Sequence, residues 1–283
     1  MFAIAAETMS SGRPMPTTQD AMMGFLDMNL TLFLILISFA FAMVGLIIVV
    51  KKLHKQPFKD IVTARPKTDW GRIMFAFVLW TIFSVGSLLL AYYAEPGKYI
   101  YQFNWDKFLI LALIAVPLIP VQTSVEELVF RGYLMQGFGL LAKNKWFPLI
   151  MTSLIFGGMH LANPEVGKMG YVVTFYYVGT GLALGIMTLM DEGTELALGF
   201  HAANNLTAAL MVTADWTAFR TPSVFKDVSE PTASWDIFVP LLVIYPIILF
   251  IFSRKYKWHS WNEKLTGKLE SPANNTIPNN TEI

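Results

Sequence analysis

Thr123-Ser124-Val125-Glu126-Glu127-Leu128-Val129-Phe130-Arg131-Gly132 places two adjacent carboxylates and an arginine between apolar runs of membrane length. A charged side chain at the bilayer centre costs about 2.5–3.5 kcal/mol on insertion scales. An ionisable cluster in such a setting therefore marks a functional site, and the reading of the chain works outward from it.

The surroundings are those of a polytopic membrane protein. The 283 residues are 54% hydrophobic and 14% charged, against about 25% charged in soluble domains. Net charge is +1, which gives no basic field for nucleic acid. Cysteine is absent, excluding disulfides, thiolate metal sites and a cysteine nucleophile. The N-terminus lacks a basic start, apolar core and cleavage site, so it is not read as a cleaved signal peptide.

Apolar segments fall at 29–50, 73–93, 108–121, 124–141, 146–161, 171–190, 195–211 and 237–253. They predict an all-α bundle of about eight transmembrane helices, since a span needs about 20 apolar residues. The predicted organisation is a loose N-terminal arm (1–28), a membrane-embedded domain (29–253, motif core about 108–213) and a polar C-terminal tail (254–283) that reads as disordered. Pro117 and Pro120 are expected to kink or end the third segment, and Gly181 and Gly185 to form a close-packing face. The loop after the first span carries Lys51, Lys52, Lys55, Lys59, Arg65, Lys67 and Arg72 against Asp60 and Asp69, and reads as cytoplasmic. Eight spans would then put the C-terminus outside. The basic flank of Arg254, Lys255 and Lys257 favours inside, and the stronger first loop takes precedence.

Polar residues inside the segments are the candidates for chemistry. Ser124 with Glu127, and Thr123 with Glu126, fit capping boxes at a helix start. Glu127 and Arg131 share a face four residues apart and can pair as a structural clamp. One carboxylate suffices for one cap, which leaves Glu126 for function. His160 taken alone is as readily a packing residue as a ligand. His201 and Asn205 align one turn apart, whereas Asn204 points about 100° away and reads as packing or polar glue. Asp191 and Glu192 read as interfacial and unremarkable, and His54 and His259 as solvated. A glutamate, two histidines and an asparagine suit hydrolysis: a carboxylate to deprotonate water, a histidine to orient it or bind a metal, and neutral donors for an oxyanion.

Glu126-Glu127-x-x-x-Arg131, Phe156-x-x-x-His160 and His201-x-x-x-Asn205, in this order on separate segments, resemble the CPBP family. These are the CAAX proteases and bacteriocin-processing enzymes, also called the Abi family, and they include the type II CAAX prenyl endopeptidase. The resemblance covers residues 70–215 approximately. It implies a multi-pass intramembrane endopeptidase of the cell membrane, opening toward the cytoplasm and acting on a peptide or small membrane-protein substrate among lipids. By that resemblance Glu126 is the general base and His160 helps activate the water. His201 and Asn205 hold the oxyanion, while Glu127 and Arg131 support the motif helix. It leaves open a zinc ion on Glu126, His160 and His201, although the His-Glu-x-x-His signature is absent.

Two other functions use similar residues. A proton-coupled transporter would also bury Glu, His and Arg, but no inverted repeat is visible. A non-catalytic scaffold has no need of the complete motifs. Aspartyl and serine intramembrane proteases fit poorly, because no Asp lies well inside a span and Gly86-Ser87 lacks the expected glycine pattern.

Overall fold

In a computed structural model of the chain, residues 2–232 and 235–269 are described; residues 270–283 of the predicted disordered tail lie outside them. Two short helices, α1 (Phe2–Ser11) and α2 (Gln19–Met23), replace the expected loose arm. Arg13 ties α1 to the following turn by bonding Glu7 at 2.9 Å and the Phe25 carbonyl at 3.0 Å. The first span, α3 (Met28–Ile48), starts where Asp27 accepts from the amides of Asn29 and Leu30, satisfying donors that have no intrahelical partner. α4 (Trp70–Ala94) is capped in the same way by Asp69.

The prolines do not end the next helix. α5 (Trp105–Glu127), a π turn (Leu128–Leu134) and α6 (Met135–Ala142) form one 38-residue helix. Prolines are tolerated in membrane helices that neighbouring helices hold, and Leu111, Ala115 and Ile119, on either side of Pro117, are buried against Leu32 and Leu36 of α3. Thr123 Oγ1 bonds the Ile119 and Pro120 carbonyls at 3.1 and 3.3 Å, so no capping box forms and Glu126 and Glu127 sit in the helix interior. The predicted segments 108–121 and 124–141 are therefore a single element.

α7 (Trp146–Met159) follows, ending in a 3₁₀ turn (His160–Ala162), then α8 (Pro164–Met169), α9 (Val172–Asp191) and α10 (Glu195–Met211). The last apolar segment is a π turn (Pro240–Ile244) running into α11 (Tyr245–Tyr256), with α12 (Trp261–Thr266) beyond it. Among the described residues four helices are long and apolar enough to cross a membrane: Met28–Leu53, Trp70–Ala94, Trp105–Ala142 and Val172–Asp191. The shorter segments 146–162, 195–211 and 240–256 run between the same two ends, and the predicted count of eight spans is not confirmed.

One end gathers the basic loops. Thr63 pairs with Gly193 across an isolated bridge, the Ala64 amide donates to the Glu192 carbonyl at 3.1 Å, and the Lys145 amide donates to the Gly267 carbonyl at 3.0 Å. The opposite end carries a small sheet of β1 (Tyr99–Tyr101), β2 (Val212–Ala214) and β3 (Phe225–Asp227) in the order β1-β3-β2. There Ile100 faces Lys226 antiparallel and Thr213 faces it parallel. Merging 105–142 into one helix leaves an odd number of apolar segments. The N-terminal arm then lies at the sheet end and the C-terminal flank at the basic end, which removes the conflict between the two basic flanks.

Asp191 corrects the reading of an unremarkable interface residue. It is 4% exposed and accepts from Arg65 at 2.9 Å, from Arg72, and from Trp258 Nε1 at 3.0 Å. Arg65 also holds the buried Glu195 at 2.9 Å. The node fastens the first basic loop and the 257–269 segment to the turn between α9 and α10, so the start of the predicted tail is packed. Beside it, a hydrogen bond from Lys264 holds the Glu192 carboxyl below the ordinary glutamate range.

Trp80, Leu184, Met187, Phe200, Tyr245 and Phe252 join α4, α9, α10 and α11 in the main core. Gly181 and Gly185 lie against Ser153 and Leu149 of α7, as the small-residue face predicts. Gly199 of α10 sits so close to α4 that an added Cβ would collide with the Ile73 carbonyl and press on Ala76. Overpacking of this kind costs about 1–3 kcal/mol, more than the ~1 kcal/mol helix-propensity gain of alanine over glycine. Gly199→Ala should therefore lower the unfolding temperature of the detergent-solubilised protein. Gly45→Ala, whose Cβ would meet nothing, should not; a rise with Gly199→Ala would refute the packing.

Candidate active site

Glu127 is fully buried, and Arg131 Nη1 donates to its Oε1 at 3.0 Å across one helical turn. The second guanidinium branch, Nη2, donates to the Gly181 carbonyl of α9 at 3.0 Å. The same Oε1 lies 2.7 Å from Nδ1 of His201. A carboxylate paired with arginine accepts only, so His201 carries its proton on Nδ1 and turns Nε2 elsewhere. One carboxylate thus joins α5, α9 (through Arg131) and α10. The expected clamp exists and reaches further than the i,i+4 pair.

The neighbouring Glu126 makes no such ion pair. Its Oε1 accepts from Gln122 Nε2 at 2.6 Å, and its Oε2 lies 3.5 Å from Nε2 of His201. Gln122 Oε1 in turn accepts from Asn205 Nδ2 at 3.2 Å. Asn205 Oδ1 accepts from Asn204 at 3.1 Å, and Asn204 Oδ1 accepts from Trp80 Nε1 at 3.1 Å. The chain begins at an indole that can only donate and ends at a carboxylate oxygen, so every amide in it has one consistent orientation. It leaves Asn205 with a second N–H that these bonds do not use.

His160 is held differently. Its Nδ1 lies 2.7 Å from the Phe156 carbonyl, an obligatory acceptor, so the ring donates from Nδ1 and keeps Nε2 as a free acceptor. The ring stacks on Tyr177, with centroids 4.2 Å apart and 24° between planes. Phe156 lies between the two histidines, with centroids 4.7 Å from His160 and 6.1 Å from His201, and the Arg131 guanidinium sits 4.6 Å from its own.

Glu126, His160, His201 and Asn205 all line one cavity of about 450 Å³, with Gln122 and Tyr177. Among the described residues no group of three or more His, Cys, Asp or Glu side chains is placed to hold a metal ion, although Glu126, His160 and His201, the zinc set left open by the resemblance, line the same cavity. Both Nδ1 atoms are taken by protein acceptors and Glu126 Oε1 is held by Gln122, which leaves the two Nε2 atoms and Glu126 Oε2 for the cavity. The cavity also differs from expectation in position. Its other walls include Ile35, Asn163 and Thr217, all toward the sheet end. Glu126 lies near the middle of its 38-residue helix, and the cavity extends from it toward the sheet end, away from the basic loops. A larger cavity of about 490 Å³ lies at the basic end, lined by Asp60, Arg131 and Lys264. It contains none of the free catalytic-type groups.

Sequence reasoning missed Gln122, Trp80 and Tyr177. Gln122 was findable, because it lies one turn before Glu126 on the same face. Trp80 and Tyr177 carry no local signal. Asn204, read as packing or polar glue, is the second of these, a link in the amide chain.

The model of the Rce1-like family, described as type II CAAX prenyl endopeptidase Rce1-like, matches residues 105–207. The uncharacterized protein YyaK of Bacillus subtilis (strain 168) is 32% identical over 219 residues, covering 77% of this chain and 73% of that protein. No solved structure matches the chain.

The two carboxylates should respond oppositely to neutralisation. Glu127→Ala leaves Arg131 and His201 without their shared buried partner and should cost about 3–5 kcal/mol. Glu126→Gln removes a carboxylate that no fixed cation balances and should leave stability unchanged or raised. Chemical unfolding in detergent measures both, and equal destabilisation by the two would contradict the division.

Proposed function

This chain belongs to the Rce1-like family of type II CAAX prenyl endopeptidases, and we propose that it hydrolyses peptide bonds within the membrane by using Glu126 as general base. The observation that carries the reading is the Glu126 carboxylate: no arginine or lysine pairs with it in the described site, and it faces a cavity beside a histidine with a free Nε2.

In the proposed reaction a water lies between Glu126 Oε2 and His160 Nε2. Glu126 takes one proton, His160 accepts a hydrogen bond from the other, and the oxygen attacks the substrate carbonyl. The spare N–H of Asn205 faces the developing oxyanion, and His201 joins it as a donor from Nε2 when both ring nitrogens carry a proton. When the tetrahedral intermediate collapses, Glu126 returns its proton to the leaving nitrogen, giving a carboxylic acid and an amine. Glu127 and Arg131 take no part in proton transfer; they fix the rotamer of His201.

Fixed donors of this kind are worth about 10²–10³ in turnover each. Membranes containing the protein, compared with membranes containing each variant, should show new peptide termini by mass spectrometry. Glu126→Gln and His160→Ala should abolish them, and Asn205→Ala should reduce their rate by about 10²-fold. Cleavage should survive a chelator. Full activity in purified Glu126→Gln would end the proposal, whereas solute flux into liposomes without cleavage would favour a proton-coupled carrier.

A further inference from the structure

The two ends of the bundle differ in charge. The basic end holds Lys51, Lys52, Lys55, Lys59, Arg65, Lys67 and Arg72 before α4, Lys143 and Lys145 before α7, and Arg254, Lys255 and Lys257 after the last segment. At the sheet end each loop is balanced or acidic. Residues 95–107 set Lys98 and Lys107 against Glu95 and Asp106, and residues 163–171 set Lys168 against Glu165. Residues 215–230 set Arg220 and Lys226 against Asp215, Asp227 and Glu230. Lysine and arginine in short loops near span ends mark the cytoplasmic side. Three separate loops give the same answer, and the odd number of crossing segments allows all three to be satisfied at once.

The cavity is placed unambiguously against these ends. α10 contributes His201, Asn205 and Val212, running from the site toward the strand β2. α3 contributes Ile35 and Phe39, from its first half, which begins beside Lys107 at the sheet end. The rim is formed by Asn163, Glu165 and 217–219, in sheet-end loops, where Glu165 accepts from the Ala218 amide at 2.9 Å. Toward the basic end the path is closed. Glu127, Arg131, Leu196, Ala197 and Met187 are each at most 2% exposed and fill the bundle below His201.

We infer that the Glu126 cavity is entered from the extracytoplasmic side of the membrane, so that its substrate is a segment already carried across: an exported tail or loop of a membrane-inserted precursor. The direction of entry follows from charge and packing alone; the substrate class rests on the proteolytic reading. A tail presented in the cytosol meets the sealed Glu127–Arg131 layer, with the ion pair costly to open, whereas a translocated segment meets the rim.

The absence of cysteine makes single-cysteine labelling clean. Lys67→Cys reports the basic loop and Lys168→Cys the exposed face of α8. Thr217→Cys reports the cavity rim. Each is treated with a membrane-impermeant maleimide in intact spheroplasts and again after permeabilisation. Lys168→Cys and Thr217→Cys should react in intact spheroplasts, and Lys67→Cys only after permeabilisation. The reverse pattern, or a Thr217→Cys that reacts in neither condition, would overturn the inference. Labelling requires no catalysis, so a protein that labels as expected yet yields no new termini would sink the proteolytic reading and leave the sidedness standing.

Discussion

The structure depends on one buried oxygen. Glu127 Oε1 takes a proton donor from Arg131 on its own helix and another from His201 on α10, while Arg131 spends its second branch on the Gly181 carbonyl of α9. Burying an ion pair seldom stabilises a protein relative to a well-packed apolar core, but breaking one is expensive. Its use here is positional. The three helices cannot slide or rotate past one another without leaving a charge unpaired. The π turn that holds Arg131 gives the helix the extra width needed to aim the guanidinium at α9, and such turns recur at functional sites.

On that frame Glu126 and Glu127, adjacent in sequence, acquire opposite characters. Glu127 is held by cation and imidazole through Oε1, while its buried Oε2 makes no hydrogen bond among the described residues. Glu126, rotated about 100° around the helix, meets through Oε1 the neutral end of an amide chain that runs from Trp80 through Asn204, Asn205 and Gln122, and has the His201 ring 3.5 Å from Oε2. The chain orients one carboxylate oxygen and leaves the other toward the cavity. It also fixes the Asn205 amide. Preorganised dipoles of this kind need no rearrangement when charge develops, which is what the proposed hydrolysis asks of them.

Much of this was legible in the chain. The i,i+4 spacings of Glu127 with Arg131 and of His201 with Asn205 are local facts of helix geometry, and the structure brings Glu126, His160, His201 and Asn205 around one cavity. The small faces of Gly181 and Gly185 were equally readable. The boundary at Pro117 and Pro120 was not, because a membrane helix carries prolines through where its neighbours hold it, and here Leu111, Ala115 and Ile119 are packed against Leu32 and Leu36 of α3. That one misplaced break divided a single helix into two predicted segments and produced the apparent conflict between the basic flanks. Asp191 misled for another reason: its partners Arg65, Arg72 and Trp258 are distant in sequence, and no local pattern announces them.

The most direct measurement is a double-mutant cycle between Glu127 and His201, using Glu127→Gln, His201→Ala and the pair, read by chemical unfolding in detergent. Residues that share one hydrogen-bonded network are coupled, whereas independent sites add to within about 0.3–0.5 kcal/mol. A shared buried oxygen predicts that the double variant loses clearly less stability than the two single losses summed, by ~1 kcal/mol or more. Simple additivity would mean that Glu127 does not hold His201, and the site would lose the contact that places it.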